Sequence, residues 1–376
     1  MLYGIILFVC LLSLFIQFEQ PFGVFHYPYL YLILATLLFM CKLLNPENFR
    51  FKKRVFYLAF TFIFLIILSG VISTDAGSFK LILTALLGIS LSIILISLYE
   101  SKENKFLKIF DLLLYLFSIT LLFQFILYYL SGIYLDLHEL LFPWSQGKGT
   151  LESFGFARFT GIHLEPGSHA TFTTFLILLS LIVKPRVGSV HYLSLLSIGA
   201  TFSTVGVIYA VFLCVVFFLM LNKNSTLKTK VYFVFGVFIV TSCLLSFGLY
   251  EYIENRFILK EGADMSFNAR LNLVDFWLDS SLIDKVFGVG FGVNQCTDCL
   301  STQSAGILFN FTYQLGIVGV VLLVVATITS FLPSKKSIPI VALFIIISVC
   351  RVPNFWALFY FSLFFVLNIN NENNRI

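Results

Sequence analysis

The sequence predicts an all-α, polytopic membrane protein of about twelve transmembrane helices with two large periplasmic loops. Two observations predict it: hydrophobic residues make up 59% of the chain against 11% charged, and the apolar residues gather in runs of about the length that spans a bilayer. A third, the clustering of Lys and Arg between alternate runs, supplies the orientation. Soluble domains carry about 25% charge, so a chain this apolar needs lipid as its solvent. Residues 1–376 are accordingly one integral membrane domain, and the 46 Phe suit lipid-facing and packed helix surfaces. The first run, 2–18, has no basic segment before it and no small-residue cleavage site, so it reads as a span that is its own insertion signal.

The apolar runs are 2–18, 27–44, 55–73, 81–98, 109–130, 167–183, 190–221, 231–249, 305–332 and 338–368. Most fit one helix of about 20 residues. Runs 190–221 and 338–368 are too long for one upright span. Basic clusters at Lys42, Arg50, Lys52, Lys53 and Arg54, at Lys102, Lys105 and Lys108, at Lys184 and Arg186, at Lys223, Lys228 and Lys230, and at Lys335 and Lys336 share the cytoplasm only if an even number of spans separates each pair. Run 190–221 must then cross twice, turning near Phe202-Ser203-Thr204-Val205-Gly206, and the last run turns at Arg351-Val352-Pro353-Asn354. Both termini fall in the cytoplasm. With Arg375, that side holds 16 of the 24 Lys and Arg. Run 305–332 has room for a partly re-entrant stretch around Gly316.

Two outer loops, about 131–166 and 250–304, are the long connections, and long loops rather than short turns carry chemistry. The first ends in Arg158-Phe159-Thr160-Gly161-Ile162-His163-Leu164-Glu165-Pro166-Gly167-Ser168-His169. Arg158 can donate two parallel hydrogen bonds to a phosphate. Glu165 or a histidine, His163 or His169, could accept a proton from a sugar hydroxyl. Gly161 and Gly167 permit close backbone approach. Pro166-Gly167 should turn the chain into a helix, with Ser168 near its anion-favouring N-terminus. The structural alternative is an Arg158–Glu165 pair that staples the loop down.

In the second loop Phe267, Leu271, Val274 and Leu278 recur at helical spacing, so 265–280 reads as an amphipathic helix lying on the membrane or on other spans. Arg270 and Trp277 border that stripe, which puts the guanidinium at headgroup depth; a snorkelling interfacial Arg is the alternative. Gly288-Val289-Gly290-Phe291-Gly292 lacks the strand–turn–helix context of a dinucleotide site. It is either a backbone nest for phosphate, with Gly290 central, or a plain loop. Arg256 and Arg351 are further cations for an anionic substrate. Cys296 and Cys299 form a C-x-x-C without a nearby His, so no metal is expected, and they are either a disulfide or two free thiols. No cofactor and no nucleic-acid partner are expected.

Arg158-x-x-Gly161-x3-Glu165-Pro166 before a span resembles the RxxG…EP signature of Wzy-type O-antigen and capsule polymerases. Arg270, a Trp seven residues on, GVGFG and Leu315-Gly316-Ile317-Val318-Gly319 are similar to the wider O-antigen polymerase and ligase superfamily. The likeness in hydropathy covers the whole chain; the motifs cover about 155–170 and 265–320. The R-x10-G motif of some of these polymerases is absent, since His169 and Ser281 stand eleven residues after Arg158 and Arg270. The ligases' His before the LGxxG motif is replaced by Ala305.

The resemblance implies metal-independent glycosyl transfer at the periplasmic face of a bacterial inner membrane. The glycan on one undecaprenyl-diphosphate-linked oligosaccharide would move onto the sugar of a fresh repeat, with a chain-length regulator as a candidate protein partner. Arg158 and Arg270, supported by Arg256 or Arg351, would hold the diphosphate, and Glu165 or His163 the acceptor. An O-antigen ligase and a flippase or transporter of lipid-linked sugars are the competing expectations.

Overall fold

The computed structural model describes residues 2–16, 26–43, 53–72, 76–143, 145, 157–224, 236–237, 272, 274–290, 307–331, 338–349 and 357–369. Their regular structure is entirely helical: α1 Leu2–Phe15, α2 His26–Leu43, α3 Lys53–Ile72, α4 Ala76–Ser131, α5 Leu137–Leu141, α6 Pro166–Val183, α7 Ser189–Gly199, α8 Thr204–Asn224, α9 Leu282–Phe287, α10 Ile307–Phe331, α11 Ile338–Val349 and α12 Ala357–Ile369. Among the described residues five stretches are long and apolar enough to cross a membrane: Lys53–Val71, Phe79–Tyr99, Glu103–Ser131, Pro166–Val183 and Thr204–Leu221.

Helix α3 shows why lipid is the solvent. It buries Val55, Leu58, Ala59, Phe62, Leu65 and Ile66, one stripe at helical spacing. The opposite face exposes Phe56, Tyr57, Phe60, Phe64 and Val71, which is equally apolar. A water-facing helix would be polar there. At the centre, α6 and α12 are buried almost all round. Phe365 of α12 packs on Tyr99 and Phe110 of α4, at ring-centroid distances of 4.8 and 5.9 Å.

The expected spans 81–98 and 109–130 both appear as candidate spans, Phe79–Tyr99 and Glu103–Ser131, but no turn separates them. Helix α4 runs unbroken for 56 residues. Between Gly88 and Gly132 the sequence holds neither Gly nor Pro, so the polar stretch around Lys102 lowers hydropathy without breaking the helix. The helix stops at Gly132, whose φ of 70° suits a left-handed cap and whose N–H donates to Tyr128 O at 2.8 Å. Lys105 and Lys108 thus lie on a helix and not in a turn.

Run 190–221 does divide, into α7 and α8. The break at 200–203 is built by caps: Ser203 Oγ accepts the Gly206 N–H at 2.9 Å, and the Thr201 hydroxyl donates to Ile198 O at 2.8 Å. A side chain at Gly206 would collide with Thr201 Oγ1. The last run divides into α11 and α12, with the expected turn at Arg351 outside the described residues. Run 231–249, apart from 236–237, also lies outside them.

Candidate functional site

The first long connection folds inward. Of residues 157–164 all but Arg158 are buried, and irregular backbone inside a membrane bundle needs partners for its N–H and C=O groups. Gln124 of α4 supplies two of them. Its Oε1 accepts the N–H groups of Thr160 (3.1 Å) and Gly161 (2.9 Å), and its Nε2 donates to Leu135 O at 2.7 Å. Gly161 has φ 58°, and a Cβ there would sit 3.2 Å from Leu121 Cβ. Close approach is thus real at Gly161, whereas a Cβ at Gly167 would meet nothing within 4 Å.

Phe159 anchors the loop. It is fully buried among Phe125, Tyr128, Tyr129, Tyr134 and Phe202. Its neighbour Arg158 is left half-buried. The Tyr134 hydroxyl donates to Arg158 O at 3.2 Å. Burial raises the phenol to about 12, beyond the opposing pull of its hydrogen bond with Thr160, so Tyr134 serves as a donor.

At the same end, half-buried Glu165 caps α6 through its extended backbone (φ −133°, ψ 150°), and Pro166 opens the helix. Ser168 falls in the first turn, as expected. Arg158, Glu165 and the α6 N-terminus therefore sit on one short, pinned segment of chain.

The histidines differ from the expectation of an interfacial acid–base group. His163 and His169 have no exposed surface. His163 lies against Phe117, His169 and Phe172. Its Nε2–H donates to Phe15 O at 3.1 Å, which leaves Nδ1 to accept from His169 Nδ1–H at 3.1 Å. Burial holds His163 down to about 3; the Phe15 hydrogen bond opposes this and the field of His138 adds to it. Neither imidazole reaches a substrate at the surface. The wrong inference came from placing a loop containing Phe159, Ile162 and Leu164 in water.

In the second loop, residues 274–279 are helical. Val274 and Leu278 of the expected stripe are 37% and 53% exposed, while Phe276 and Trp277 turn in against Val289 and Tyr313. Among the described residues the buried Trp277 indole N–H has no hydrogen-bond partner. The described part of the glycine run is a clasp, not an anion nest. The N–H groups of Gly288, Val289 and Gly290 donate to Asp284 O (2.8 Å), Tyr313 O (3.1 Å) and Gln314 O (3.2 Å). Gly290 thus has no N–H to offer a phosphate. The clasp closes on α10 where Gly316 (φ 67°, ψ −175°) breaks the helix. Gly288 and Gly316 touch backbone to backbone, and a side chain on either would collide with the other's strand of chain at Gln314 O or Val286 O.

Arg256, Arg270, Arg351, Cys296 and Cys299 lie outside the described residues. Among the described residues no three His, Cys, Asp or Glu side chains group so as to hold a metal ion. Sequence reasoning missed Gln124 and Tyr134. The available signal was a lone Gln in the apolar stretch 109–130, a placement that calls for an interhelical or loop partner.

No family model, no curated protein and no solved structure matches this chain.

Proposed function

We infer that the chain is a polymerase of lipid-diphosphate-linked oligosaccharides, acting at the periplasmic face of a bacterial inner membrane with both termini in the cytoplasm. The observation that carries this reading is the pinned loop. A guanidinium (Arg158) and a carboxylate (Glu165) are held half-buried at the N-terminal end of α6, on a scaffold whose outer faces are apolar. Their spacing is that of the RxxG…EP signature.

The chemistry asks little more of the protein. The acceptor hydroxyl oxygen attacks the anomeric carbon of the donor glycan, and the bond from that carbon to the polyprenyl diphosphate breaks. The hydroxyl proton passes to Glu165 and on to the departing diphosphate. Arg158, with Arg270 and either Arg256 or Arg351, neutralises the charge that builds on the leaving group. Burial of His163 leaves Glu165 as the acceptor-side base. Undecaprenyl diphosphate is the lipid, and a chain-length regulator is the proposed protein partner.

The test is the gel profile of surface polysaccharide from a deletion strain. A polymerase leaves single repeats on the lipid core when lost; a ligase leaves bare core. Restoration of long chains by the wild-type gene, and not by Arg270→Ala at equal protein level, supports the reading. Long chains in the deletion strain reject it.

One observation favours a second reading, a transporter of the same lipid-linked sugars. Transporters use broken helices and polar groups inside the bundle. Helix α10 is broken at Gly316, and six residues earlier Asn310 is fully buried with neither amide atom partnered among the described residues. Loss of a flippase would remove even single repeats from the outer surface.

A further inference from the structure

Helix α9 carries more exposed apolar surface than a connection bathed in water needs. Leu282 and Ile283 are 77% and 71% exposed, and Phe287 is 56% exposed. At about 100° per residue, Leu282, Val286, Ile283 and Phe287 fill one arc of roughly 140°, with Asp284 and Lys285 opposite. One side of this short helix is apolar and the other is charged. Leu278, in the turn before it, adds a further exposed apolar side chain.

The clasp sets the depth at which α9 sits. Gly288 ends the helix and touches the backbone of α10 at Gln314 and Gly316. From Gly316 the chain stays helical to Phe331, a run of about 22 Å along the axis. The sequence then reads Leu332-Pro333-Ser334-Lys335-Lys336, where paired lysines mark the exit from hydrocarbon. The hydrocarbon layer is roughly 30 Å thick, which puts Gly316 about 8 Å inside its other boundary. Tilting α10 takes Gly316 deeper still. Ile317, Val318 and Val321, on the first turns past the break, are exposed and apolar, as is the outward side of α3. The surface of α9 therefore continues a lipid-facing surface.

Backbone at that depth must find its partners within the protein, and this backbone does. The Asp284 N–H donates to Ser281 Oγ (3.2 Å) and the Lys285 N–H to Ser281 O (3.0 Å). Asp284 O, Tyr313 O and Gln314 O take the N–H groups of Gly288, Val289 and Gly290. The Ser281 hydroxyl donates to Asp284 Oδ2 at 2.8 Å, so the carboxylate is partnered too. The Lys285 stem is long enough to carry its ammonium toward the headgroups.

We propose that α9 is a re-entrant helix in the leaflet nearer the N-terminal end of α10, with phospholipid acyl chains against Leu282, Ile283 and Phe287. An amphipathic helix at an interface sinks its apolar side about 5–10 Å below the headgroups, which matches the depth that the clasp imposes. A second copy of the chain is the poorer occupant. Three side chains on a six-residue helix fall far short of the roughly 800 Å² per partner that a stable protein interface buries.

The experiment uses the full-length protein in phosphatidylcholine vesicles. A nitroxide amino acid is incorporated by codon suppression at one position at a time, which leaves the seven native cysteines in place. Power saturation then compares collisions with oxygen, which concentrates among acyl chains, and with a water-soluble nickel chelate. In place of Ile283 or Phe287 the label should meet oxygen at least fivefold more than nickel, as it should in place of Val321 on α10. In place of Lys285 that ratio should be at least threefold lower. Leu282, the most exposed of the set, gives the same reading if a label at 287 disturbs the clasp. Nickel collisions that outweigh oxygen at 282 and 283 put α9 in water and overturn the proposal. Labels at 282 and 283 that meet neither probe overturn it as well, and dipolar broadening between them would assign the surface to a second copy. No lipid-linked sugar is present and no activity is read, so the outcome is independent of the polymerase reading.

Discussion

Gln124 holds Gly161 by a single side-chain oxygen, 2.9 Å from the glycine N–H, across 37 residues of sequence. The same oxygen holds Thr160 N. This junction sets where the loop between Arg158 and Glu165 lies on α4.

Gln124→Ala strips partners from two buried N–H groups and from Leu135 O. Each orphaned buried group costs about 1–3 kcal/mol. The variant should lower the thermal midpoint of the purified protein and reduce chain elongation in cells by tenfold or more. Gln124→Glu, which keeps an acceptor, should retain more activity than Gln124→Ala. Equal thermal midpoints for wild type and Gln124→Ala would contradict the role assigned to this side chain.

Gly161→Ala places a Cβ 3.2 Å from Leu121 Cβ at a φ of 58°. Left-handed backbone alone costs about 1–2 kcal/mol for a residue with a side chain. Gly316→Ala should be worse, because its Cβ would enter the carbonyl of Val286. The expected order of thermal midpoints is wild type, then Gly161→Ala, then Gly316→Ala; Gly167→Ala, in open space, should match wild type. A Gly316→Ala protein as stable as wild type would rule out the clasp between 288–290 and the break in α10.

His163 gives the fold a pH dependence with a definite sign. Its folded value, about 3, lies below its ordinary 6.5, so the unfolded chain binds a proton first as pH falls. The contribution is complete above about pH 6.5 and is lost progressively as pH falls toward 3. The thermal midpoint in detergent should therefore be flat from pH 8 to 7 and decline below 6.5, and His163→Gln should flatten that decline. An unchanged slope in His163→Gln would place the acid sensitivity elsewhere.

Much of the fold is legible from hydropathy, since lipid imposes helices on apolar runs. The division of 190–221 was readable because Ser203, Thr204 and Gly206 are capping and breaking residues. The continuity of α4 was not readable from charge, because Lys and Glu lower hydropathy and still favour helix. At the site, Arg158, Gly161 and Glu165 were recognisable as neighbours in sequence. Gln124 and Tyr134 were not, because the loop residues they hold lie 24 to 37 residues away. The burial of His163 had a signal that residue chemistry obscured: Phe159, Ile162 and Leu164 mark the loop as core.

The central claim is that Arg158 and Glu165 promote transfer between lipid-linked glycans. It is tested most directly by incubating the purified protein, in lipid vesicles, with a polyprenyl-diphosphate-linked repeat unit and resolving the products by size. Wild type should give a ladder of two and more repeats with release of polyprenyl diphosphate. Arg158→Ala and Glu165→Gln should each cut the yield at least a hundredfold. A wild-type protein that leaves every repeat single, or an Arg158→Ala protein that builds the full ladder, would contradict it.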